Sequence, residues 1–191
     1  MGRRVVIISG IPGCCYKPVV DTLQTWGYAL TWPKQDCDVY TGNHCRLRGE
    51  NPAVRELHDS ILYDGGKDWF TTSAPKYYDE PYPGPDGVLE KFSEDQDIVL
   101  SDPMFCFFLP MWRGRYTDLI LCDWHADSAI AAVAKWSGKE EKECMAVIGH
   151  YRERFELYSS GATVTRLSHA ESRRGTCDGL EKEFKNRFLD R

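Results

Sequence analysis

The feature that most constrains this chain is its opening. Arg3 to Ile8 is a β-branched run with no helical period, and it stops at Ser9-Gly10. Such a run reads as a strand buried on both faces, because polar alternation appears only when one face meets water. After the glycine turn, Val19, Val20, Leu23 and Trp26 recur at helical spacing. Pro18 suits a first helical turn, where its missing N–H costs nothing, and Gly27 suits a carboxyl-terminal stop. Strand, glycine loop and helix therefore follow one another directly.

The rest of the chain repeats the theme without any internal repeat. Residues 31–50 are polar, with Pro33, Gly42 and Gly49, and read as loop. Pro52 starts a helix whose shared face carries Val54, Leu57, Ile61 and Leu62, ended by Gly65-Gly66. Residues 70–87 are rich in proline and tyrosine and read as a surface excursion or lid. Ile98 to Leu100 is a second short strand closed by Ser101-Asp102-Pro103, and Phe105 to Trp112 is apolar enough for a short buried helix. Leu119 to Cys122 is a third strand that stops at Asp123-Trp124-His125. Two amphipathic helices follow, one presenting Ala129, Ala132, Val133 and Trp136, the other Cys144, Ile148, Tyr151 and Phe155. Ala162 to Leu167 reads as a fourth strand and Leu180 to Leu189 as a terminal helix. Short apolar strands alternating with amphipathic helices imply an α/β fold, a short parallel sheet with helices on both faces in three layers.

Ligands of such sheets bind at the carboxyl ends of the strands. Four segments are therefore expected on one rim: Gly10 to Lys17, Ser101-Asp102, Asp123 to Asp127, and the stretch after Leu167. With 191 residues, a single domain over 1–191 is expected. Lys and Arg number 24 against 29 Asp and Glu, a net charge of -5. That balance argues against a nucleic acid polymer as partner and leaves room for a local pocket for one small anion. The apolar start is far too short to cross a bilayer, and no small-residue cleavage site follows it, so no membrane partner and a cytoplasmic location are expected. The eight cysteines then read as reduced thiols. Asp36, Cys37, His44 and Cys45 match no common zinc spacing, so no metal is assigned.

A glycine loop between strand and helix can wrap a phosphate in backbone N–H groups backed by the helix dipole. The common phosphate-loop pattern, counted from Gly10, requires Gly, Lys and Ser or Thr where this chain has Cys15, Tyr16 and Lys17. ATP or GTP hydrolysis is not supported. Other segments point elsewhere: Ser9 to Tyr28 with Gly10 and Gly27; Glu50-Asn51-Pro52; Leu57-His58-Asp59-Ser60-Ile61-Leu62 with Gly66 and Trp69; Ser101-Asp102-Pro103-Met104-Phe105-Cys106; Leu109-Pro110-Met111-Trp112; and Ile148-Gly149-His150-Tyr151. In this order and spacing the chain resembles the P-loop sulfotransferases, microbial members of which carry a G-M-H-R-S-G-T-S loop and E-N, L-N-D-x-L-L, G-x-x-W, K-D-P-R-x-C, L-P-x-W and W-x-x-Y segments.

The resemblance implies a P-loop NTPase-like α/β fold of sulfotransferase type. It also implies transfer of a sulfuryl group from 3'-phosphoadenosine 5'-phosphosulfate to a hydroxyl or amine of a small-molecule acceptor. The loop that would hold the donor's 5'-phosphosulfate reads Gly13-Cys14-Cys15-Tyr16-Lys17 here. The family's 3'-phosphate arginine and serine fall at Asp123 and Ala131, and its Lys and Arg around D-P fall at Ser101 and Met104. A non-catalytic binding or accessory protein on the same scaffold is the alternative.

Candidate site residues follow from position and chemistry. Gly10, Gly13, Cys14, Cys15, Tyr16 and Lys17 form the cofactor loop. Lys17 supplies a cation to a bound anion or is a solvated lysine at a helix start. Cys14-Cys15 are reactive thiols at a helix N-terminus or two small residues filling a tight turn. His125, just past a strand with Asp123 and Asp127 nearby, is the expected general base; it otherwise caps the next helix or packs on Trp124. Asp102 orients a substrate hydroxyl or a histidine, or simply fixes the turn before Pro103. Asp123 completes the catalytic set.

Overall fold

The computed structural model describes residues 3–11, 17–29, 52–64, 70, 84–123 and 126–168. These form β1 (Val5–Gly10), α1 (Lys17–Thr25), α2 (Pro52–Asp64), α3 (Gly84–Leu89), β2 (Ile98–Ser101), α4 (Phe105–Trp112), β3 (Asp118–Asp123), α5 (Ala126–Ser137), α6 (Glu141–Tyr158) and β4 (Val164–Ser168). The fold is α/β. Its sheet has four parallel strands in the order β2-β1-β3-β4. Every residue of β1 is buried, as a central strand covered on both faces must be.

The strand order explains how both faces are covered. From β1 the chain crosses to β2 on one side, then returns past β1 to β3 and continues to β4. Right-handed crossovers that run in opposite directions place their helices on opposite faces. α1 packs on β2, whereas α4 and α6 pack on β1 and α5 packs on α6. A further bridge, Ala29 to Ile98, extends the sheet beyond β2, with Ala29 N–H donating to Asp97 C=O at 2.7 Å and Val99 N–H to Ala29 C=O at 3.1 Å.

Helix ends follow the sequence signals. α1 stops before Gly27, whose φ of +92° lies in the left-handed region that a side chain resists. α6 starts with Glu141 and Glu143 in its first turn, favourable to the helix dipole, and the Glu143 carboxylate accepts the Glu140 N–H at 3.3 Å. α4 buries seven of its eight residues, and Phe105, Phe107, Phe108 and Trp112 join Tyr151 and Phe155 of α6 in the aromatic part of the core. There Phe107 meets Tyr151 edge to face at 4.7 Å between ring centroids.

Several boundaries move. β1 runs on through Gly10 because the register with β3 pairs Gly10 with Cys122. β4 begins at Val164, after the turn closed by Ala162 N–H on Ser159 C=O. Of the irregular stretch expected over 70–87, residues 71–83 lie outside the described residues, and the expectation fails at its end, where Gly84–Leu89 is a helical turn and a half with Pro85, Val88 and Leu89 buried. The loop expected over 31–50 and the terminal helix expected at 180–189 lie outside the described residues.

Candidate functional site

The sheet register defines the carboxyl rim. Ile8 pairs with Ser101, Gly10 with Cys122, and Asp123 with Ser168, so the ends of all four strands stand in one row. Gly10 closes β1 and is buried, and α1 opens at Lys17. Asp102 follows β2 directly, and Asp123 is the last residue of β3. Gly10, Asp102 and Asp123 thus stand at strand ends, and Lys17 is the first residue of the helix that follows β1. Gly13, Cys14, Cys15, Tyr16 and His125 lie outside the described residues.

Asp102 is held against the carboxyl end of β1. Its N–H donates to Ile8 C=O at 3.2 Å, and Ser9 Oγ donates to Pro103 C=O at 3.4 Å. Its side chain is 1% exposed, and Oδ1 accepts two hydrogen bonds, from the Met104 N–H at 2.6 Å and from His58 Nδ1 at 3.2 Å. The first of these is the turn-fixing role expected of an Asp before Pro. The second also matches an expectation, that Asp102 orients a histidine, but the histidine is His58 of α2.

His58 is fully buried and fully engaged. Its ring stacks on Phe108 at 4.3 Å with an interplanar angle of 10°, and meets Phe105 edge to face at 5.0 Å. Trp112 Nε1 donates to His58 Nε2 at 3.1 Å. An indole N–H can only donate, so Nε2 is the bare nitrogen and the ring proton sits on Nδ1, where it donates to Asp102. The chain Trp112→His58→Asp102 thus runs from the core to the rim with every imidazole valence used. His58 is not available as a base. Asp102 Oδ2, buried as well, has no hydrogen-bond partner among the described residues.

The sequence signal for His58 was its phase. Val54, His58, Ile61 and Leu62 share one helical face, so a histidine on that stripe is committed to the interior. Trp112, at the end of the apolar α4 run, needs an acceptor once buried. Nearby Cys106 is also buried, and its thiol is pushed well above its ordinary range, first by burial and then by the Asp102 charge, which makes it an inert core residue. Among the described residues no group of three or more His, Cys, Asp or Glu side chains could hold a metal ion. No helix of the described chain is long and apolar enough to cross a membrane.

No protein-family model and no curated protein matches the sequence. Among solved structures the chain is similar to the one titled "Crystal structure of TT1252 from Thermus thermophilus", at 15% identity and a TM-score of 0.46, over 96% of this chain and 99% of that one.

Proposed function

We propose that the chain is a transferase of sulfotransferase type, carrying a sulfuryl group from a nucleotide donor to a hydroxyl or amine of a small acceptor. The observation that carries the reading is the rim itself: β1 ends at a buried Gly10, α1 opens at Lys17, and of the two strands that flank β1, β2 is followed directly by Asp102 and β3 ends at Asp123. The unpaired N–H groups of a first helical turn, with the dipole behind them, favour an anion at that place.

The residues present fit 3'-phosphoadenosine 5'-phosphosulfate at one end only. By sequence, a glycine loop from Gly10 to Tyr16 followed by Lys17 would offer backbone N–H groups and a cation to its 5' anion. Ala131 is exposed on α5 and offers no hydroxyl to a 3'-phosphate, and a carboxylate at Asp123 repels one. When bound, the donor supplies the activated sulfuryl group; the chain supplies amides, a cation at Lys17, and His125 as the base for the acceptor's proton.

Titration calorimetry with adenosine 3',5'-bisphosphate tests the reading. Binding that weakens on Lys17→Ala supports it, and no heat at millimolar nucleotide removes the nucleotide version. The substitutions at Asp123 and Ala131 favour a second reading, a binding or accessory protein that has lost the donor site. Acceptor-dependent turnover abolished by His125→Ala eliminates that alternative.

A further inference from the structure

We infer that Asp102 Oδ2 is the rim's acceptor for a hydrogen-bond donor on the bound small molecule, a hydroxyl or an amine, and that Trp112 and His58 are positioning residues that hold it ready. The inference rests on the transferase reading only for the name of that molecule, its acceptor substrate. Three observations combine. Asp102 lies beside Ile8 and Ser9, near the carboxyl end of β1. Its Oδ1 is saturated by Met104 N–H and His58 Nδ1–H, whereas the equally buried Oδ2 has no partner among the described residues. Such an orphan is rare, because a carboxylate oxygen removed from water without a donor is costly, and a ligand group that donates to it removes that cost.

The second half of the inference concerns direction. With Trp112 occupying Nε2, the imidazole has a single tautomer, and its one proton faces Asp102. The carboxylate is thereby pinned in rotation, with Oδ1 held by His58 and Met104 and Oδ2 left over. His58 is stacked on Phe108 and abutted edge to face by Phe105, which hold its ring in place. An oxygen fixed in this way discriminates by chemistry: it accepts from O–H or N–H and rejects an ether or ester of the same shape.

Phenol and benzylamine serve as donor-bearing probes, and anisole as the isostere that cannot donate, each followed by NMR on the full chain. Phenol and benzylamine are expected to bind about tenfold or more tightly than anisole, and Asp102→Asn, which turns one oxygen into a donor, is expected to erase that preference. In ¹⁵N-histidine spectra, His58 is expected to carry its proton on Nδ1 in the wild type. In Trp112→Phe it is expected to lose that single tautomer while the phenol preference falls severalfold, a change that loss of packing alone does not produce. Equal binding of phenol and anisole, or binding of neither, overturns the assignment of Oδ2, and an unchanged preference in Trp112→Phe overturns the positioning role. A parallel titration with adenosine 3',5'-bisphosphate separates the two claims. Nucleotide binding without a phenol preference removes only this inference, and a phenol preference without nucleotide binding removes only the transferase reading.

Discussion

Asp102 shows how much one buried polar residue organises. It follows β2 directly, closes the turn into α4 through Met104 N–H, and accepts a hydrogen bond from a histidine forty-four positions earlier in the chain. Removing the far end of that chain leaves His58 Nε2 bare in an aromatic surround, so Trp112→Phe is expected to destabilise the fold by about 1–3 kcal/mol, read as a lower midpoint in urea. A change within about 0.3 kcal/mol contradicts the hydrogen bond. Cys106, buried and raised, is expected to resist thiol reagents at pH 8 until the chain unfolds, whereas an accessible thiol of ordinary pKa reacts there.

Elements add a pH dependence. Burial pushes the Tyr28 hydroxyl up to about 12, so the folded chain holds that proton more tightly than the unfolded one. Its contribution is whole below about pH 10 and is lost as pH rises toward 12. On α6, burial and then Arg154 lower His150, against the opposing pull of Glu153, so the folded state resists its protonation and stability falls as pH drops below about 6.5. Denaturation midpoints are therefore expected to form a plateau between these limits. Tyr28→Phe should flatten its alkaline edge and His150→Gln soften its acid edge; an edge unmoved by its variant contradicts the assignment.

The same scale explains what could be read from sequence. β1, β2, β3 and α4 were legible because fully buried elements are continuous apolar runs bounded by turn residues. α3 was not, because Gly84-Pro85-Asp86-Gly87 spells a turn; what makes it helical is tertiary. Pro85 fits a first turn, Val88 and Leu89 are buried, and Asp86 receives both Nε and Nη2 of Arg115 at 2.6 and 2.8 Å. That pair holds the Asp86 carboxyl below its ordinary range, chiefly through the hydrogen bond from Arg115. The Asp86 side chain is 53% exposed, so Asp86→Asn is expected to cost no more than about 1 kcal/mol, less in high salt or in acid below the usual carboxylate range. Asp102 was legible as a strand-end carboxylate. Its partner was not, since His58 reaches Asp102, and Trp112 reaches His58, only once α2 and α4 have packed.

At the scale of the whole molecule, a fully buried central strand joins the core to the rim. Ile7 and Ile8 have no exposed surface, so Ile7→Ala is expected to cost about 2–5 kcal/mol, while Met145→Ala, on the exposed side of α6, stays within about 0.5 kcal/mol. The strand buried along its whole length thus also ends in the glycine that opens the proposed anion site, which ties stability to site geometry. The most direct test of that site is a crystal structure of the full chain soaked with adenosine 3',5'-bisphosphate. The expected result is the 5'-phosphate over the first turn of α1, between Gly10 and Lys17. Nucleotide bound away from the rim, or absent at millimolar concentration, contradicts it.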